Sequence, residues 1–501
     1  MSATGYATFA GRWADAVAAG RGRPFLAFEA PDGTVTRWTY GEFDDAVARA
    51  AGALASLGVE AGSCVHLALT NCPAFVATWL AAARLGAWIV PSDPGATAIE
   101  LAGHIERTKP VVGLCGAARA DAYRQAAAGR HAVIEVDEAD ARVPLDGRAV
   151  DGTAAAPRDR LAVMFTSGTT SAPKGVVVTQ ANYAFAGDVM AAAAALRAED
   201  RQLVVLPLFH ANAQYYSFAS AISAGASVAL VHAFSASRFL EQAARHQATH
   251  ASLFAAPMRM ILARGAAPVD GVRLRHVWYA QNITGDQYRT LAGLFGCLPR
   301  QLYGMTETIP AVLANRAISP VPDSMGVPTL GCEVDLRGPD GGCVADGETG
   351  EVIVRGDRGT TMFEGYLDDP ATTDASFEDG WFRTGDLAHR GPGGLFFFDG
   401  RRSDVLKVAG ENVSVVEVEA ALSAHPSVLE AAVIGEPDPV RDEVPVGFVV
   451  LQPGAPAVTE EELLRWCESR LAKSKRPVRV DIVDELPRTS VGKIRKFLLK
   501  R

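Results

Sequence analysis

Apolar positions in the first 330 residues fall into two alternating rhythms. Alanine-rich stretches such as Phe43–Leu57 and Phe75–Leu85 repeat at helical spacing, and short runs of Val, Ile and Leu follow them, Cys64–Leu69 and Trp88–Val90. A 3.6-residue repeat buries one stripe, whereas a short continuous apolar run buries both faces of a strand. The alternation therefore predicts an α/β architecture, with helices covering mostly parallel sheets. Ala191–Ala195 reads as ordinary helix rather than low complexity. From about 326 to 400 the texture changes to short strands punctuated by glycine, as in Gly347-Glu348-Thr349-Gly350-Glu351-Val352-Ile353-Val354, which predicts a β-rich subdomain. A third region follows Gly400 with its own strand and helix signals and a basic tail. The expected organisation is a large multi-lobed domain over 1–402 and a small mobile α+β domain over 403–501.

Two apolar runs, Leu161–Phe165 and Val176–Val178, bracket the segment Thr166-Ser167-Gly168-Thr169-Thr170-Ser171-Ala172-Pro173-Lys174-Gly175. Five hydroxyls, two glycines and a lysine between two predicted strands make a hairpin tip rather than a strand-to-helix turn. Hydroxyls and free backbone N–H groups suit a row of phosphate oxygens, and Lys174 adds a point charge. Pro173 stands where a Walker A loop needs glycine, so that motif is excluded.

Charge and cysteine narrow the function classes. The chain has 501 residues, 48 basic and 57 acidic, for a net charge of −9. No basic tract stands out, which argues against nucleic acid as a partner. Seven cysteines occur without a C-x-x-C pair, the pattern of a reducing compartment rather than of disulfides or zinc. The first residues lack the layout of a signal peptide, and no run approaches the roughly 18 apolar residues of a membrane span. A cytoplasmic protein, monomeric or homo-oligomeric, is expected.

Further polar clusters lie downstream. In Tyr303-Gly304-Met305-Thr306-Glu307-Thr308 a ring can stack on a base, a hydroxyl can touch phosphate, and a carboxylate can hold Mg²⁺ together with phosphate oxygens. Gly380-Trp381-Phe382-Arg383-Thr384-Gly385-Asp386-Leu387, then Gly400-Arg401-Arg402-Ser403-Asp404, then Pro487-Arg488-Thr489-Ser490-Val491-Gly492-Lys493-Ile494-Arg495 follow in order. Lys496 and Lys500 read as solvated ends. His246 and His250 are one helical turn apart, but without H-E-x-x-H they read as an exposed helix face and not as a zinc site.

Taken in order, these segments resemble the adenylate-forming superfamily of acyl-CoA synthetases, luciferases and peptide-synthetase adenylation domains. The resemblance spans essentially the whole chain. Phe209-His210-Ala211-Asn212-Ala213-Gln214, Gly410-Glu411-Asn412-Val413-Ser414 and Ser171 are most similar to the crotonobetaine/carnitine–CoA ligase branch. It implies nucleotide binding by Thr166, Ser167, Gly168, Thr169, Thr170, Lys174, Tyr303, Gly304, Met305, Thr306, Asp386 and Arg401. Tyr303 would stack on adenine, Asp386 would hold the ribose hydroxyls, and Glu307 would hold Mg²⁺. Catalysis falls to Lys493, Thr166, Glu307 and His210. His210, Asn212, Gln214 and Asn282 would line the acyl pocket, Gly410, Glu411 and Asn412 would meet coenzyme A, and Ser403 would be the hinge. Three positions depart from the family pattern. Ser171 replaces a glycine, Ser403 replaces the usual Asp or Lys, and Tyr279-Ala280-Gln281-Asn282 replaces Gly-Gly-Ala-Pro.

The expected function is thus an AMP-forming acyl-CoA synthetase using ATP, Mg²⁺ and coenzyme A on a small-molecule carboxylic acid. Three alternatives stand beside it: an enzyme confined to thioester formation from a preformed acyl adenylate, a ligase loading a free carrier protein, and a nucleotide-binding protein without turnover.

Overall fold

The computed structural model describes residues 7–152, 155–166, 173–401, 405–408, 411–439, 441–488 and 494–499. Local chemistry sets many of its helix ends. Thr39 opens the helix Tyr40–Ser56, its hydroxyl accepting from the Glu42 N–H while the Glu42 carboxylate accepts from the Thr39 N–H at 2.8 Å. Thr97 and Glu100 repeat this capping box on the helix Ala98–Thr108. Each box satisfies two amides that have no partner inside the helix. The helix Pro73–Leu85 is buried continuously from Pro73 to Ala83. Being apolar all round, it fits only inside the fold, where Trp79 stacks on Phe9 at 4.9 Å.

Five strands, Arg160–Thr166, Trp88–Pro91, Cys64–Ala68, Val112–Gly116 and Ala132–Val136, lie side by side and run parallel. Lys174–Thr179 and then Gly365–Tyr366 extend one edge antiparallel. A second sheet sets Pro24–Glu29, Ser227–Val231, Arg201–Val204, His250–Phe254, His276–Ala280 and Arg300–Tyr303 in parallel order. The β-rich stretch predicted from about 326 is not a sheet of its own. Leu313–Ala314 and Ser324–Pro328 carry the second sheet on into the antiparallel ladder of Phe396–Arg401, Trp381–Arg390, Thr349–Arg355 and Glu333–Arg337. Gly326 makes that crossing possible, because at φ 96° a Cβ would lie 1.9 Å from the Ala314 carbonyl oxygen. A third sheet comprises Val405–Val408, Glu411–Ser414, Val428–Asp438, Asp442–Leu451 and Arg479–Ile482, with helices Val415–Ser423 and Glu460–Glu468.

Two sequence expectations fail here. His246 and His250 are not on an exposed helix face: they are 2% and 1% exposed. His246 ends the helix Phe239–Arg245 and reaches Glu29 at 2.7 Å, while His250 begins the next strand. Lys496 is no solvated end, since its Nζ lies 2.8 Å from Glu419. Lys500 lies outside the described residues. All seven cysteines are free thiols. Among the described residues no helix is long and apolar enough to cross a membrane.

Candidate functional site

The carboxyl end of a parallel strand supplies the first side chain, where open α/β sheets place ligands. Arg160–Thr166 ends at Thr166, and its partner strand begins at Lys174 directly across the ladder. The hairpin expected from the flanking apolar runs is therefore present. Ser167, Gly168, Thr169, Thr170 and Ser171 lie outside the described residues. The Thr166 hydroxyl is directed to the Lys174 carbonyl at 3.5 Å. Lys174 Nζ stands 4.7 Å from the centroid of the Tyr366 ring, a cation–π contact. Tyr366 is placed there by strand pairing, since it lies opposite Val176.

The Tyr366 hydroxyl donates to Glu307 Oε1 at 3.1 Å. Glu307 is 5% exposed. Burial pushes its carboxyl up; its backbone hydrogen bond, Tyr366 and the charges of Lys174 and Arg401 act the other way. A buried carboxylate that burial disfavours is suited to a cation supplied by a ligand. No described group of three or more His, Cys, Asp or Glu could hold a metal ion. Glu307 is a carboxylate suited to meet a divalent cation that arrives with phosphate oxygens.

Glu307 sits in a short turn, Thr306–Thr308, between two constrained backbone positions. At Gly304 a Cβ would come within 2.9 Å of Ala311 Cα and the Pro310 carbonyl oxygen, so only glycine lets the chain pass. Beyond the turn, Ile309 has a φ of 71°, rare for a β-branched residue. Between them the Thr308 hydroxyl accepts from the Met305 N–H at 3.0 Å. Thr306 and Met305 are half-buried beside this turn.

Strand pairing sets Asp386 opposite Arg401. Asp386 is 3% exposed, and its Oδ2 accepts from the Tyr303 hydroxyl at 2.7 Å. Arg401 Nε lies 2.7 Å from Oδ1, close enough for ion pairing, yet no hydrogen bond of good geometry reaches Oδ1 among the described residues. Arg401 bears on both buried carboxylates, pairing with Asp386 and opposing the upward shift of Glu307. The bulge in the strand just before Asp386 is fixed by Glu351, which accepts from the Gly385 N–H at 3.1 Å and from Arg383 at 2.6 Å.

The residues expected at the acyl pocket divide into three kinds. Burial lowers the His210 pKa to about 4, so its ring is neutral at pH 7, and its Nε2 has no partner among the described residues. Asn212 opens a π-helix, Asn212–Ala219, and neither end of its buried amide is bonded among the described residues. Such helices often mark functional positions. Gln214 is fully enclosed, donating to the Leu208 carbonyl at 2.6 Å and accepting from Tyr183 at 2.5 Å. Both ends of its amide are thus bonded within the core. Asn282 is exposed and follows Gln281, whose φ is 72°. Its side chain accepts from Gln301 at 2.7 Å, and its carbonyl accepts from Arg259 at 2.8 Å.

Ser403, Gly410 and Lys493 lie outside the described residues. Glu411 and Asn412 form a strand opposite Val408 and Lys407. Arg488 and Ile494 pair on either side of the Lys493 segment, and the Arg495 N–H donates to the Pro487 carbonyl at 2.7 Å. Glu100, whose pKa is lowered chiefly by the Thr97 N–H, also feels the charge of Arg495, and Arg259 feels that of Glu419.

Sequence reasoning missed Tyr366 and Glu351. Neither lies in a loop rich in polar residues, and only strand pairing brings them to Glu307 and Gly385.

Comparison with known proteins identifies the family and the fold. Residues 13–367 match the AMP-binding enzyme family, and residues 417–493 match the AMP-binding enzyme C-terminal domain. The chain belongs to this family. It is 33% identical over 506 residues to a crotonobetaine/carnitine–CoA ligase of Citrobacter koseri, covering 97% of this chain and 98% of the relative. It is 34% identical over 505 residues to the ligase of the same name from Escherichia coli O7:K1, covering 95% of each. Among solved structures it resembles a benzoate CoA ligase from Burkholderia xenovorans, with a TM-score of 0.89 and 25% identity over 99% of this chain and 100% of that one. It also resembles the o-succinylbenzoate coenzyme A synthetase of Bacillus subtilis in complex with AMP, with a TM-score of 0.84 and 27% identity over 98% of each.

Proposed function

We propose how this acid–thiol ligase, an AMP-forming acyl-CoA synthetase, divides its work among the residues described. The carrying observation is that two buried carboxylates each have a tyrosine hydroxyl and a nearby cation, Asp386 with Tyr303 and Arg401, and Glu307 with Tyr366, whose ring carries Lys174. ATP would lie across them, with adenine against Tyr303, ribose hydroxyls at Asp386, and phosphates along Thr166 and Lys174. Glu307 would hold Mg²⁺, which neutralises charge on the leaving pyrophosphate when bound.

In the first half-reaction a carboxylate oxygen forms a bond to the α-phosphorus, the bond to the bridging oxygen breaks, and pyrophosphate leaves. Lys493 would supply the cation for that charge. In the second, the CoA sulfur attacks the acyl carbon, AMP leaves as a phosphate anion, and the thiol proton is released. The mixed anhydride is already activated, so no serine or cysteine nucleophile is needed. Rotation about Ser403 would withdraw Lys493 and bring Gly410, Glu411 and Asn412 to the thioester site.

His210 and Asn212 favour a compact acid with a hydrogen-bonding substituent, since an alkyl chain would leave that buried amide unsatisfied. Crotonobetaine and carnitine, named for the relatives, are the first acids to assay. Pyrophosphate release and acyl-CoA mass should be measured with ATP, CoA and a panel of these acids, neutral hydroxy acids and benzoate. Product with alkyl acids alone would overturn the polar-pocket reading. Consumption of synthetic acyl adenylates without pyrophosphate from any acid would replace the full reaction by its second half.

A further inference from the structure

The helix Ala98–Thr108 touches both stems of the nucleotide hairpin, and no reading above gives it a role. Arg107 Nη1 donates to the Pro173 carbonyl at 2.5 Å, one residue beyond the last rung of the ladder. The same guanidinium lies 5.0 Å from the centroid of Phe165, on the opposite stem. His104, one turn back on the helix, stacks on Phe165 with centroids 4.0 Å apart and planes within 3°. A chain of hydrogen bonds sets the angle of that ring. His104 Nδ1 meets Ser92 Oγ at 2.8 Å, Ser92 Oγ meets His66 Nε2 at 3.0 Å, and His66 Nδ1 meets the Tyr123 hydroxyl at 2.7 Å. His66 and Ser92 are buried, so this chain is part of the core.

We propose that Arg107 is a positioning residue for the nucleotide loop, fixing the separation of its two stems against a ring platform made by His104 and Phe165. A Pro173 carbonyl outside the ladder has no strand partner to orient it, and it immediately precedes Lys174. Holding both stems sets the separation of Thr166 and Lys174, the described ends of the loop, before phosphates arrive. Arg107 then acts on ATP through the loop. Arginine suits this place because its planar fork donates in its own plane while its face rests on a ring.

The inference rests on the nucleotide site described above, and its test has readouts independent of acyl transfer. ATP dissociation constants by calorimetry, KM for ATP, kcat for pyrophosphate release, and thioester formation from a synthetic acyl adenylate are compared in wild type, Arg107→Ala and Arg107→Lys. Trypsin cleavage between Lys174 and Gly175 in nucleotide-free protein, mapped by mass spectrometry, reports on the loop stems directly. Arg107→Ala should weaken ATP about tenfold, as expected for loss of one hydrogen bond from a charged group. It should change kcat less than about threefold, leave the adenylate-to-thioester step unchanged, and speed cleavage at Lys174. Arg107→Lys should recover part of each loss. Unchanged ATP affinity overturns the proposal. Weakened ATP with unchanged cleavage overturns it too, because the guanidinium would then act on the phosphates themselves. Should wild type bind ATP yet make no adenylate, the ligase reading fails while the affinity and cleavage arms still decide the role of Arg107.

Discussion

The hydroxyl of Tyr366 donates to Glu307, 59 residues away in sequence, at 3.1 Å, while the face of the same ring receives Lys174 at 4.7 Å. One aromatic side chain thus joins the cation at the loop exit to the carboxylate proposed to hold Mg²⁺. It stabilises the ionised form of Glu307 against the burial that opposes it.

Tyr366→Phe keeps the ring for Lys174 and removes only the hydrogen bond. The acid limb of the adenylation rate should therefore move to higher pH, because Glu307 loses a contact that favours its charge. We expect kcat at pH 7 to fall about fivefold to tenfold, in line with one hydrogen bond to a charged group, and the Mg²⁺ requirement to rise. Pyrophosphate release measured against pH and Mg²⁺ checks both. An unmoved acid limb would detach Tyr366 from the titration.

Glu307→Gln should separate activity from stability. Burial raises the Glu307 carboxyl above its usual 4.5, so the folded chain holds that proton more tightly than the unfolded chain does. The associated stability is present at low pH and disappears as pH rises through the raised value. A neutral amide escapes that loss. The variant should lose on the order of 100-fold in Mg²⁺-dependent adenylation yet melt at an equal or higher temperature in metal-free buffer at pH 8. A lower melting temperature there would show that the carboxylate stabilises the fold.

Asp386→Asn keeps the shape but leaves Arg401 facing a neutral group. The expected result is a KM for ATP higher by on the order of 10- to 100-fold, since a charge-assisted contact to ribose is lost together with its orienting partner. Tyr303→Phe should cost less, because the carboxylate and Arg401 remain. Nucleotide titration of the two variants gives the order. Equal losses would place the ribose contact elsewhere.

Lys493→Ala should abolish acyl-AMP formation, by on the order of 10²–10³ in rate, and leave thioester formation from synthetic acyl adenylate nearly intact. Single-turnover assays of each half-reaction read the difference. If both fall together, the two steps share one domain arrangement.

Glu29 offers a stability test remote from the site. It is 1% exposed and meets Arg238 and His246, each at 2.7 Å, and Gln242 at 2.8 Å. Burial raises its carboxyl, but Gln242, His246 and Arg238 together hold it below its usual value. His246 is itself lowered, chiefly by burial. Both shifts give stability that is present at neutral pH and is lost as pH falls, first through His246 and then through Glu29. Glu29→Gln should cost about 2 kcal/mol at pH 7, less than a fully buried pair because Arg238 is partly in water. It should also remove the part of the acid loss that belongs to Glu29, which lies below its usual 4.5. Urea unfolding compared at about pH 3 and pH 7 decides it.

The sequence by itself determined what is local. Helix and strand alternation, the two hairpin stems around 166–175, and the order of the polar motifs all follow from residue spacing and side-chain type. Burial period and capping act over a few residues, so Thr39 with Glu42 and Thr97 with Glu100 are legible from their neighbours alone. The role of Arg401 beside Asp386 was readable only as two separate motifs. The register that sets them opposite each other belongs to the sheet. Tertiary structure alone decided that Tyr366 would reach Glu307, that Gln214 would be spent inside the core, and that the antiparallel ladder would continue a parallel sheet. It also decided that His246 would be buried against Glu29, because the spacing of two histidines carries no information about a carboxylate 217 residues away. Such contacts arise where distant strands and helices pack, and that packing satisfies buried polar groups with partners that no short window of sequence contains.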